Sequence, residues 1–192
     1  MRKHFLIFTV VALIAGSGGY FMAMVMSAGS GQGGPGAAPV DLGAVRPPAV
    51  EDMLGQRRPD FTLSDMHRNP VSASDFDGHI WLVNFWATWC TPCVEEMPML
   101  SRLQQENADI GLQVVGIALD DAGRAAEFAA GLAISYSVLV GKTDVVLTGR
   151  RFGNATGMLP FSVLIDADGV IRWTHLGALS REELQRQIQL LK

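Results

Sequence analysis

The chain has 192 residues, 48% of them hydrophobic, with two cysteines and a formal net charge of −4. That length and apolar content support one packed domain with a further segment and exclude wholesale disorder. The acidic balance excludes a nucleic-acid binder, and two cysteines cannot build a disulfide-dense scaffold or a closed four-cysteine zinc site.

Arg2, Lys3 and His4 precede Phe5–Met26, a run of 22 residues without a charge. As a helix this run is about 33 Å long, enough for a hydrocarbon core of about 30 Å. Two readings stay open: an uncleaved membrane anchor, or a cleaved signal peptide with its apolar part at Phe5–Ala15, followed by Gly16, Ser17, Gly18 and Gly19. Apolar residues resume at Tyr20–Met26, further than a signal peptide runs, which favours the anchor. Either way the basic residues stay in the cytoplasm and the rest is exported. The expected location is a single-pass inner-membrane protein with a periplasmic domain, or a soluble periplasmic protein after cleavage. Met22, Met24 and Met26 lie inside the apolar run and read as lipid-facing or core residues rather than copper ligands. Ser27–Pro48 is rich in Gly, Ala and Pro and reads as a flexible tether. The expected division is therefore 1–26 anchor or signal, 27–54 linker and 55–192 folded domain.

Within the domain, Phe61–Leu63 and Val71–Ser72 flank polar Asp65–Asn69 and suggest an N-terminal hairpin. Ile80–Trp86 is an apolar run of strand length that predicts a strand buried on both faces. Thr91–Asn107 carries Val94, Met97, Leu100 and Leu103 at helical spacing, with Pro98 expected to kink the helix. Leu112–Leu119 predicts a second buried strand, Ala122–Ala133 a helix, Tyr136–Val140 a short strand and Asp144–Phe152 a short helix. Phe161–Ile165 is a further strand, turned at Asp166–Gly169 into a partner at Val170–His175. Ser180 caps a last helix, with Glu183 three residues on in the pattern of a capping box. The alternation predicts an α/β domain: a mixed sheet, part parallel and part closed by an antiparallel hairpin, with helices on both faces.

Both cysteines lie in Cys90-Thr91-Pro92-Cys93, between the strand Ile80–Trp86 and the following helix. A thiol at a helix N-terminus meets unpaired N–H groups and the positive end of the dipole, which favour thiolate. Pro92 suits the first helical turn. Cys90 is then the exposed attacking thiol and Cys93, one turn in, the shielded resolving thiol. A structural disulfide over so short a loop would stabilise little. His67, His79 and His175 have no metal-ligand spacing, so no metal is expected, and Val94 stands where covalent haem attachment needs His. Redox catalysis by a Cys90–Cys93 disulfide, without another cofactor, is the expectation.

The segment Asn84-Phe85-Trp86-Ala87-Thr88-Trp89-Cys90-Thr91-Pro92-Cys93 resembles the active site of thioredoxin-fold proteins. It is most similar to the membrane-tethered TlpA/ResA-type thiol–disulfide oxidoreductases of bacteria. Arg58-Pro59-Asp60-Phe61-Thr62-Leu63, Glu96-Met97-Pro98 and Leu159-Pro160 match in order, so the resemblance covers roughly residues 55–192. It implies a thioredoxin fold and a cis Pro160 facing the cysteines, with the backbone of Leu159 pairing with an incoming client. Trp86, Thr91 and Pro92 support the motif. Trp89 is either an apolar platform beside Cys90 or ordinary core. Ordinary thioredoxins carry a buried Asp where this chain has Asn84, and the TlpA/ResA type places Glu where this chain has Glu96.

Glu96 lies three residues after Cys93, so both project from one helix face, whereas Glu95 points to solvent. A partly buried Glu96 can take the proton that Cys93 must lose, and its charge discourages thiolate formation. The alternative is a solvated surface Glu that suits the dipole. The function expected is an extracytoplasmic disulfide reductase acting on exported proteins and fed by a membrane thiol reductant; the resemblance to the TlpA/ResA type implies apocytochromes c as clients. An oxidant or isomerase of the DsbA kind fits less well, because Thr91-Pro92 lacks the His that stabilises a reduced thiolate. A peroxidase of the same fold needs Thr or Ser where Ala87 stands, and a non-enzymatic binding module leaves two intact cysteines unexplained.

Overall fold

A computed structural model describes residues 48–191. The strands are β1 (Thr62–Asp65), β2 (Pro70–Ser72), β3 (Trp81–Trp86), β4 (Gln113–Leu119), β5 (Ser137–Gly141), β6 (Phe161–Ile165) and β7 (Ile171–Leu176). The helices are α1 (Thr91–Glu106), α2 (Ala122–Gly131), α3 (Thr143–Arg151) and α4 (Arg181–Gln189). One seven-stranded sheet runs in the order β2-β1-β5-β4-β3-β6-β7. Strands β3, β4 and β5 are parallel, and β1, β2, β6 and β7 join antiparallel to their neighbours. This is the predicted thioredoxin-like mixed sheet, with the N-terminal hairpin docked by β1 onto β5.

Strand β3 is buried along its whole length, and its period of two divides its residues between two cores. Leu82 and Trp86 face a core closed by Met97, Leu100 and Leu103 of α1, Ala125 and Ala129 of α2, and Leu184 and Ile188 of α4. Trp81, Val83 and Phe85 face the other core with Phe61, Phe76, Phe152 and Phe161. Phe76 stacks on Trp81 at 5.0 Å, and Phe85 lies 5.9 Å from Phe152 and 5.7 Å from Phe161. Arg58, buried, holds the incoming chain by donating from Nη2 to Asp77 at 2.7 Å while lying over the Trp81 ring.

Some boundaries move. The domain begins before residue 55: Val50–Met53 form a short 3-10 turn and Met53 is buried in the aromatic core. Gly153 permits this, because a Cβ there would come within 2.9 Å of Met53 and 3.0 Å of the Val50 Cα. The tether therefore ends short of the expected residue 54. Helix α1 runs as one element through Pro98. The Ser180 hydroxyl accepts the Glu183 N–H at 3.2 Å, but the Glu183 carboxylate lies 4.0 Å from His175 Nδ1, so only half of the expected capping box forms. Among the described residues no helix is long and apolar enough to cross a membrane. The apolar run Phe5–Met26 and most of the 27–54 tether, whose readings rest on sequence, lie outside those residues.

Candidate active site

Strand register brings the site together. Trp86 of β3 pairs with Ala118 of β4, and Phe85 pairs with Phe161 of β6. The loop leaving β3, the end of β4 and the loop entering β6 therefore share one end of the sheet. In the loop leaving β3, the Thr88 N–H donates to Asp120 Oδ2 at 2.8 Å and the Cys90 N–H donates to the Ala87 carbonyl at 3.1 Å. Asp120, buried at the end of β4, thus fixes the approach to the cysteines from 32 residues away.

Cys90 is the N-cap of α1, Thr91 opens the helix and Pro92 lies in its first turn, with both Thr91 and Pro92 exposed. Cys90 and Cys93 form a disulfide. Cys93 is fully buried, and Cys90 is only 6% exposed rather than open, because it packs at the margin of the core beneath α1. Trp89 is 66% exposed, which removes it from the core and leaves the platform reading. Trp86 is fully buried. The Leu159–Pro160 peptide is cis, and the Pro160 carbonyl accepts the Gly177 N–H at 2.9 Å.

Glu96 is no surface carboxylate. It is 5% exposed on the same buried face of α1 as Cys93, whereas Glu95 is exposed. Its Oε1 accepts from Asn84 Nδ2 at 2.7 Å, and its Oε2 accepts the Leu179 N–H at 2.8 Å. Asn84 also donates to Ser162 Oγ at 3.0 Å. Burial pushes the Glu96 carboxyl above the ordinary range, against the pull of its two donors and of His175. Asn84 thus fills the buried-Asp position as a donor to Glu96. Around this cluster Asn84 Oδ1, Trp86 Nε1 and the Tyr136 hydroxyl are buried without protein partners. Gly116 admits two of these groups, since a Cβ there would come within 2.9 Å of Trp86 Nε1 and of the Tyr136 ring. Burial first, and then the Glu96 charge, push the Tyr136 phenol upward.

Sequence reasoning singled out Glu96 and Asn84 but missed Ser162, the Leu179 N–H and Asp120, whose contacts arise from strand register and a loop fold that local patterns do not encode. Among the described residues no cluster of three or more His, Cys, Asp or Glu side chains is placed to hold a metal. The group at hand is the Cys90–Cys93 disulfide, beside a buried carboxylate.

The AhpC/TSA family model matches residues 54–174. The chain belongs to that family. Within this thioredoxin-fold family it is 33% identical over 139 residues to the thioredoxin-like protein YneN of Bacillus subtilis, covering 71% of this chain and 79% of YneN. It is 28% identical over 140 residues to the thiol-disulfide oxidoreductase ResA of Geobacillus kaustophilus, covering 72% and 78% of the two chains. A Chlorobium tepidum structure assigned as the thiol:disulfide interchange protein DsbE superposes with a TM-score of 0.66 at 31% identity, covering 72% of this chain and 96% of that one. The family member described here is a thiol–disulfide oxidoreductase of the ResA/DsbE type.

Proposed function

We propose that the protein is an extracytoplasmic disulfide reductase, held at the membrane by residues 5–26, that acts on exported proteins such as apocytochromes c. In this reading the Cys90 thiolate attacks a client disulfide, forming the Cys90–client bond and releasing the first client thiolate, which takes up a proton. Cys93 loses its proton to Glu96 and attacks Cys90, so the Cys90–Cys93 disulfide forms and the second client thiol departs. Two electrons pass from the dithiol to the client, and a membrane thiol reductant returns them. Trp89 and the Leu159 backbone receive the client beside Cys90. The disulfide itself is the only redox group required.

The observation that carries this reading is the buried Glu96, hydrogen-bonded to Asn84 on the helix face of Cys93. Its charge disfavours both thiolates. A couple whose reduced form is not stabilised lies toward the reducing end, unlike DsbA at about −120 mV. Exposed Thr91 and Pro92 bring no cation to reverse that effect. Ala87 offers no hydroxyl for peroxide chemistry. The test is the potential of the Cys90–Cys93 couple in glutathione or dithiothreitol buffers, with client trapping by Cys93→Ser. A couple well below the DsbA value and trapped apocytochromes are expected. A value near about −120 mV would overturn the reductase direction.

A further inference from the structure

Between α3 and β6 the chain makes a loop whose residues Ala155, Thr156, Gly157 and Met158 are all exposed, so no core packing shapes them. One buried side chain does. Asn154 is 4% exposed, and it donates from Nδ2 to the Met158 carbonyl at 2.8 Å while its Oδ1 accepts from the Thr156 hydroxyl at 3.3 Å. Its backbone N–H donates to the Gly149 carbonyl of α3 at 2.9 Å, and its carbonyl accepts the Gly157 N–H at 3.3 Å. Both ends of the amide therefore serve this loop, and the backbone anchors it to α3. The loop ends at Met158-Leu159-Pro160, at the sheet end that also carries Trp89. Met158 is 58% exposed there, an apolar side chain with no core role, and Leu159 is half-buried.

We propose that Asn154 is a positioning residue for client binding. By fixing the Met158 carbonyl it sets the direction of the Leu159 backbone, and it presents Met158 as an apolar contact for the extended segment flanking a client's cysteine. The inference rests on the proposed pairing of clients with Leu159. It predicts a residue that governs the binding of peptide disulfides and leaves thiol chemistry alone, since the hydrogen bonds of Asn154 go to Gly149, Thr156, Gly157 and Met158 and none to a cysteine.

The test uses the full-length chain and two substrates with the same leaving thiol. One is a linear decapeptide whose single cysteine is capped as a mixed disulfide with 2-mercaptoethanol; the other is 2-hydroxyethyl disulfide. Asn154→Ala removes both side-chain bonds. Asn154→Asp still accepts from Thr156 but, when ionised, cannot donate to Met158. Each should raise KM for the decapeptide about 3- to 10-fold, the worth of a lost hydrogen bond, with kcat unchanged. Turnover of 2-hydroxyethyl disulfide and the pH profile of Cys90 alkylation should match the parent. Exposed Thr156→Val should give a smaller shift with the same selectivity, and it carries the test if the Asn154 variants do not fold. Equal losses on both substrates, or an unchanged decapeptide KM, would overturn the inference and leave the reductase reading standing. A parent protein that reduces neither disulfide would overturn both.

Discussion

The two faces of the sheet are built from the same strand and do opposite work. On one face, Trp81, Val83 and Phe85 of β3 meet Phe61, Phe152 and Phe161 in an apolar core, and the buried charge beside it, Arg58 over the Trp81 ring, is paired with Asp60 and Asp77. On the other face, one residue along, β3 sets Asn84 between Leu82 and Trp86, and α1 lays Glu96 against it. The first face stabilises the fold through close packing of aromatic rings, which the hydrophobic effect rewards by area. The second holds a buried carboxylate that packing disfavours and that hydrogen bonds from Asn84 and the Leu179 N–H, with His175 nearby, compensate in part. A buried acid on the side of the reactive disulfide, opposite an apolar core, identifies where stability has been yielded to chemistry.

Substitutions on each face can break this contrast. The largest loss is expected from Phe152→Ala, about 3–5 kcal/mol by denaturant titration, with the pH profile of the thiols unmoved. Asn84→Ala on the other face removes a donor from the Glu96 carboxylate and from Ser162. It should cost about 1–3 kcal/mol and raise the Glu96 pKa further, read by carboxylate-sensitive spectroscopy. Glu96→Gln should change the slope of stability against pH. Because the folded carboxyl titrates above its unfolded value, the parent gains from protonation and loses stability as pH rises from about 4.3 through the raised folded pKa. That fall should vanish in Glu96→Gln, and a persisting fall would place the buried charge elsewhere. Ser162→Ala should cost about 0.5–1.5 kcal/mol. Trp89→Ala, at an exposed site, should stay within about 0.5 kcal/mol in stability while weakening client binding.

Much of this was legible in the chain. The run Ile80–Trp86 announced a strand buried on both faces, because no polar residue but Asn84 interrupts it. The spacing of Cys93 and Glu96 placed them on one helix face, and the vacancy left by Asn84 pointed to Glu96. What stayed hidden depends on contacts across the sheet. The Ser162 hydroxyl meets Asn84 only because Phe85 pairs with Phe161 in an antiparallel register. Leu179 donates through its backbone, which any residue type supplies, so its identity carries no signal. Asp120 follows a strand and precedes an Asp that caps α2, so it reads as part of a cap until the loop before Cys90 is seen to donate to it. Cys90 is buried where the sequence suggests an open thiol, since a helix-terminal position does not reveal how closely the neighbouring core approaches.

The role proposed for Glu96 is to govern protonation at the dithiol. It is tested most directly by alkylation rates of Cys90 and Cys93 in the reduced protein, from pH 5 to 10, for the parent, Glu96→Gln and Glu95→Gln. Removal of a buried negative charge should shift both thiol profiles of Glu96→Gln to lower pH, and mixed disulfides should resolve more slowly. Glu95, exposed on the opposite side of the helix turn, should leave both profiles on those of the parent. Profiles of Glu96→Gln that coincide with the parent would return Glu96 to a purely structural role.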